Sequence, residues 1–147
     1  MKTAICAHCG SECRLTDGKE IYPHRSDLHP LRFWKCDPCA AHVGCHKAGM
    51  SDNNPDGTKP LGTAADAELR RLRQQVHGVI DPLWQKAKQR GRARQAVYKA
   101  LTNIGHHLGF VDIGTSFHSS HLSVSQAHSF LLAKQQIVNQ VRATTRL

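Results

Sequence analysis

The chain has 147 residues, 39% of them hydrophobic and only 5% aromatic, and carries a formal net charge of +9 at pH 7. That length fits one domain, or a small module joined to a helical part, and the apolar content supports only a modest core. No apolar run has the length of a signal peptide or membrane span, so the expectation is a cytoplasmic protein with no membrane partner.

Two Cys-x-x-Cys pairs dominate the N-terminal third: Cys6-Ala7-His8-Cys9 and Cys36-Asp37-Pro38-Cys39. A two-residue spacer lets both thiolates of a pair turn onto one ion, and four thiolates satisfy a tetrahedral structural zinc site. Reduced cysteines in a cytoplasmic protein have few other uses in this arrangement, so Cys6, Cys9, Cys36 and Cys39 are expected to hold one Zn²⁺. The gap of 26 residues between the pairs exceeds the roughly 15 to 20 of the common pattern, so the loop between them must be large. Cys13, His8, His42, Cys45 and His46 lie close enough in sequence to replace one of the four, since Cys₃His sites are common. Otherwise Cys45 is a small buried hydrophobe.

Around these knuckles, residues 1–49 read as a zinc-ribbon domain, with strands at Ile21-Tyr22 and Leu31-Arg32-Phe33-Trp34. Residues 50–62 carry Asn, Asp, Gly and Pro in turn-forming order and read as a linker. Thr63, with Asp66 three residues on, suggests the cap of a helix bearing Leu69, Leu72, Val76 and Val79. Pro82 should kink that helix or force a restart at Asp81. A second helix is expected across Ala93–Leu101, ending at Gly105 or Gly109. The segment after it reads as a loop or a short strand near Phe110-Val111. Ser123 or Ser125 should cap a last helix running through Ala127, Leu131, Leu132, Ile137 and Val141. The fold class is therefore small α+β, a zinc ribbon followed by about three helices, with residues 63–147 forming a basic helical region on or beside the ribbon.

The positive charge is unevenly placed. Residues 1–62 hold 8 Lys+Arg against 7 Asp+Glu, whereas residues 63–147 hold 12 against 4. Most of the excess lies in Arg70, Arg71, Arg73, Lys86, Lys88, Arg90, Arg92, Arg94 and Lys99, among which Asp81 is the single acid. Solvated faces usually mix signs, so a one-signed field of this density points to a polyanion, with Arg70, Arg73, Lys86, Lys88, Arg90, Arg92, Arg94 and Lys99 as candidate phosphate contacts. The partner so implied is nucleic acid or a host assembly that contains it.

Val43-Gly44-Cys45-His46-Lys47, Pro60-Leu61-Gly62-Thr63-Ala64-Ala65-Asp66, then His77 and Asp81-Pro82-Leu83-Trp84, together with the cysteine pairs, resemble the zinc-finger-containing domain family of phage and prophage proteins. The resemblance extends through Tyr98 and Leu101 to about Gly105. It implies zinc and a mobile-element origin, and it assigns no activity.

Two further groups compete for a chemical role. His77 and Asp81 are four residues apart and share a helix face; with His46 they would compose the metal site of a nuclease. Their alternative is a structural pair. His106, His107, His118, His121 and His128 crowd the segment 106–128, but few carboxylates or thiols accompany them. No phosphate-binding glycine loop, nucleophile elbow or His-Glu-x-x-His helix is present. The sequence thus supports a nucleic-acid binder first, a small protein that docks on a host machine second, and a metal-dependent nuclease third.

Overall fold

The computed structural model describes residues 3–49 and 53–146, and the chain divides into two compact units, Met1–Glu68 and Leu69–Leu147. The first unit is built on an antiparallel three-stranded sheet of β1 (Arg14–Asp17), β2 (Arg32–Cys36) and β3 (Ala41–Gly44), in the order β1-β2-β3. Leu15 pairs with Trp34 and Trp34 with Val43, so one row of side chains crosses the whole sheet. Trp34 is buried beside Ala4, Cys6, Cys13, Cys36, Ala41, Val43 and Ala64, which together form the small ribbon core. Its indole N–H donates to the Thr58 carbonyl at 2.7 Å, so the largest residue of this core carries no unpaired polar atom.

The expected strand at Ile21-Tyr22 is not formed. Asp17 accepts from the backbone N–H groups of Lys19 and Glu20 and so starts the short helix α1 (Gly18–Ile21), overriding the strand preference of Ile21. The strand that pairs with β2 is instead the preceding segment, Arg14–Asp17.

Residues 53–65, within and after the stretch read as a linker, bond closely to the ribbon; Met50, Ser51 and Asp52 lie outside the described residues. The Asn54 side chain donates to the His46 and Lys47 carbonyls and accepts from Lys59 N–H, with Asn54 itself 1% exposed. His46 N–H donates to Lys59 O, Leu61 N–H to Gly44 O, and Ala65 exchanges both backbone bonds with His42. Thr63 does not cap a helix: Ala64 and Ala65 form bridges to Cys6 and His42, and the helix begins only at Ala67. Pairing to the ribbon claims the backbone groups that an N-terminal turn there would need.

The second unit contains four helices: α2 (Ala67–Ile80, whose first two residues belong to the first unit), α3 (Arg90–Leu108), α4 (Val124–Leu132) and α5 (Lys134–Thr145). On α2 the buried positions are Leu69, Arg73, Val76 and Ile80, a spacing of four, three and four that defines one face. A 3₁₀ turn at Asp81–Leu83 follows, with Pro82 where its missing N–H is harmless. α3 buries Ala93, Val97, Ala100, Leu101 and Gly105 and ends on Gly109, whose φ of 86° is the left-handed cap conformation. Gly105 stays within the helix because Phe110 and Val111 fold directly back over it: an added Cβ would lie 2.2 Å from Val111 Cγ2.

Phe110, Phe117 and Phe130 form the aromatic centre of this core, with ring centroids 5.1 to 6.1 Å apart. Ser123 and Gln126 make a reciprocal capping box at the start of α4. The last helix is divided at Ala133, whose N–H turns back to α4 carbonyls while its own carbonyl starts α5. The division brings Ile137 and Val141 into the core and leaves Leu132 at 91% exposure, contrary to its expected apolar role. Phe110 and Val111 are buried in a turn and belong to no strand.

Candidate zinc centre and basic surface

The knuckles place all four expected sulfurs together. In the first, Cys6 N–H donates to Ser11 O and Gly10 N–H to Cys6 O, and Gly10 takes a φ of 73°, which closes the turn over residues 6–9. His8 N–H points at Cys6 Sγ at 3.4 Å. The second knuckle leaves β2 at Cys36 and returns through Ala40, at φ 54°, into β3. Asp37 in this knuckle receives Arg14 Nε at 2.7 Å and Nη2 at 2.9 Å, and the same guanidinium binds both carboxylate oxygens of Glu20. Lys35 adds a third contact to Glu20 at 3.0 Å. The hub holds the second knuckle against β1 and, being exposed, contributes orientation more than stability.

The ligand atoms of Cys6, Cys9, Cys36 and Cys39 lie within 4.8 Å of one another, and Cys9 Sγ is 3.6 Å from Cys36 Sγ. A tetrahedron with Zn–S bonds of about 2.3 Å has edges of about 3.8 Å, so the four thiols fit one zinc ion with sulfur shifts of no more than about 1 Å. Cys6 and Cys36 are buried, Cys39 is half-buried and Cys9 faces solvent. Hydrogen bonds from the Ser11 hydroxyl and then its backbone N–H lower the Cys9 thiol to about 6, favouring the thiolate that binds metal.

The neighbouring candidates have other employment. Cys13 is buried in the ribbon core and pushed up to about 11, first by burial and then by Cys36, Cys6 and Cys9. Cys45, half-buried, bridges to Pro60. His8 Nε2 accepts from Asp66 N–H at 3.0 Å. His42 packs edge-on against Tyr22 and Phe33, with centroids 5.5 and 5.9 Å away. Among the described residues, only the four cysteines bring three or more metal-ligating side chains together.

Fold and site together define a zinc-ribbon module followed by a helical unit. The chain belongs to the family of zinc-finger-containing domains, whose model matches residues 2–129. The match therefore includes the histidine-rich segment 106–128. Comparison with curated proteins and with solved structures gives no match. No helix among the described residues is long and apolar enough to cross a membrane.

The basic residues separate into distinct groups. Lys86, Lys88, Arg90, Arg92, Arg94 and Lys99 are exposed, Arg70 is half-buried, and Arg73 is buried. Arg73 Nε and Nη2 donate to the Leu122 carbonyl at 2.9 and 2.7 Å, and burial lowers its guanidinium to about 10. Arg73 is therefore a structural cation and leaves the set of phosphate contacts. A signal was present in the sequence, because Arg73 occupies the apolar face four residues after Leu69 and three before Val76. The Arg94 guanidinium lies 4.3 Å from the Tyr98 ring centroid and 5.9 Å from that of Trp84, so its charge is partly held on aromatic faces.

None of the six exposed cations makes an ion pair among the described residues. Arg14, Arg25 and Lys35 of the ribbon, by contrast, are each paired with a carboxylate. Arg90 and Arg92 stand in the first turn of α3, beside an N-cap, Gln89, whose side chain makes no capping bond, and no acid lies in that turn. Cations there oppose the helix dipole, so this end of α3 gains electrostatically from an approaching anion.

His77 Nδ1 and Asp81 Oδ2 are 2.8 Å apart, the i,i+4 pair expected from the sequence. Asp81 Oδ1 is buried and makes no hydrogen bond among the described residues. His46 belongs to the first unit and this pair to the second. Within the histidine-rich segment, His106 Nε2 donates to Thr115 O, and His118 Nδ1 accepts from Ser120. These bonds fasten the loop between α3 and α4. His118 and His121 stand edge to face, with centroids 5.1 Å apart.

Proposed function

We propose that this protein, of phage or prophage origin, is a zinc-stabilised nucleic-acid binder whose second unit contacts phosphate. Cys6, Cys9, Cys36 and Cys39 hold the zinc and supply part of the folding free energy that a small ribbon core cannot. Lys86, Lys88, Arg90, Arg92 and Lys99 make the principal phosphate contacts, with Arg70 and Arg94 at the margin. The observation that carries this reading is the pairing contrast: carboxylates neutralise Arg14, Arg25 and Lys35 of the ribbon, while Lys86, Lys88, Arg90, Arg92 and Lys99 are exposed and make no ion pair among the described residues. Contacts of this kind position a protein on a strand without reading its bases. Affinity purification from the native host, with and without nuclease, tests it. Nucleic acid should accompany the protein and disappear on digestion; a nuclease-resistant protein complex lacking nucleic acid would oppose it.

A second reading, docking on a host assembly, is favoured by one feature of the ribbon. Leu31 and Leu61, at 49% and 41% exposure, border a cavity of about 530 Å³ over Phe33, between Arg32 and Lys47. Exposed leucines around a concavity suit a protein side chain better than a phosphate. A pull-down in which Leu31→Ser abolishes recovery of a partner, while nuclease does not, would select this reading.

A further inference from the structure

A cavity of about 360 Å³ opens in the second unit between residues 82–87 and the C-terminal half of α5. Pro82, Leu83 and Ala87 line one side, and Lys86, Arg142 and Thr145 contribute polar groups. The volume falls within the roughly 300–1,000 Å³ of small-ligand sites. No acidic residue lines it, and neither Lys86 nor Arg142 has an ion-pair partner among the described residues. Lys86 belongs to the basic run, whereas Arg142 lies 56 positions further along and nothing in the sequence connects the two.

We infer that this cavity receives one unstacked nucleotide of a single strand, with its phosphate held between Lys86 and Arg142. The inference rests on the nucleic-acid reading above and specifies the strand that it favours. Two cations on one concavity attract an anion. The carbonyl end of α5 opposes them with about half a negative charge, so the two full positive charges win. The apolar wall needs a different partner from the phosphate, and a base or sugar supplies it. Thr145 Oγ1 donates to the Val141 carbonyl at 2.7 Å, so its oxygen remains free to accept from a sugar hydroxyl or a base amino group. In a duplex the bases stay stacked inside the helix and only phosphates reach the protein. A duplex, whose bases cannot enter the cavity, therefore leaves the apolar wall bare and cannot seat a phosphate between the two cations. Single-stranded recognition typically splays a base out of its stack.

The test compares a labelled ten-nucleotide oligo(dT) with a ten-base-pair duplex, by fluorescence anisotropy on the full chain. Arg142→Gln should weaken oligo(dT) about tenfold, the value of one charge-assisted hydrogen bond of about 1.4 kcal/mol, and the duplex by less than threefold. Ala87→Leu, which narrows the cavity without changing charge, should weaken oligo(dT) alone. Uridine monophosphate should compete with oligo(dT) and shift the amide resonances of Leu83, Ala87 and Thr145. Equal losses on both probes in Arg142→Gln, or full oligo(dT) affinity in Ala87→Leu, would overturn the pocket. If both variants bind as the parent while neutralising Lys88, Arg90 and Arg92 still abolishes binding, the pocket fails and the broader reading stands. If the parent binds neither probe, the nucleic-acid reading itself fails.

Discussion

Arg73 donates two hydrogen bonds, from Nε and Nη2, to the single carbonyl oxygen of Leu122. The pair ties the buried face of α2 to the segment that leads into α4, and Leu122 is itself only 2% exposed. Replacing Arg73 with Met leaves that carbonyl buried and unpaired. The expected cost is about 2 kcal/mol, the range for hydrogen bonds to a charged group. Urea unfolding followed by the helical signal measures it. Nucleic-acid salt dependence should not change in this variant; a lower salt slope with unaltered stability would return Arg73 to the surface.

For the zinc centre, Cys36→Ser should lose the metal and unfold the ribbon, because structural zinc binding and folding are one equilibrium. Metal analysis of the purified parent is expected to give one zinc per chain. A variant that keeps its zinc, or a parent that never had any, would show that the four sulfurs serve another purpose.

Two glycines of α3 make an opposed pair of tests. Gly105→Ala drives a methyl group into Val111 and Phe110 and should cost about 1–3 kcal/mol as overpacking. Gly91→Ala meets open space and should be neutral, or stabilise by up to about 1 kcal/mol. Reversed signs in thermal melts would mean that the turn after α3 does not fold back over Gly105.

His121 supplies a pH test. His121 is exposed as a whole residue, yet desolvation by the groups packed around its ring, and secondarily the charge of Arg73, lowers its imidazole below the ordinary value of 6.5. The unfolded chain then holds this proton more tightly than the folded one, so acid favours unfolding. The contribution of His121 is complete above about pH 6.5 and is lost as pH falls from there through its folded value. Titration by NMR should place the His121 midpoint below 6.5; a midpoint above it would contradict this account.

The cysteine pairs were legible because a knuckle is a local device: spacing alone puts both sulfurs of a pair on one side. Local signals likewise narrowed the α4 cap to Ser123 or Ser125 and the end of α3 to Gly105 or Gly109, and the fold selects Ser123 and Gly109. The first strand was not, because the bonds from Asp17 to Lys19 and Glu20 outweigh the strand preference of Ile21. Thr63 misled because its capping pattern sits where Ala64 and Ala65 pair with Cys6 and His42, a tertiary fact without local trace. The break at Ala133 involves neither Gly nor Pro; it serves the packing of Ile137 and Val141. Charge counting found the basic run but treated it as uniform. It took the fold to bury Arg73, to lay Arg94 on Tyr98 and to bring Arg142 beside Lys86 in one cavity.

Salt dependence tests the central claim most directly, namely that the unpaired cations of the second unit bind phosphate. Nucleic-acid affinity of the parent should fall steeply with salt as bound counterions are released. Changing Lys88, Arg90 and Arg92 together to Gln should lower the log–log slope by about 3 for duplex DNA and about 2 for a single strand, nearly equally across sequences. A triple variant with the parent's affinity and slope on both substrates would contradict the account.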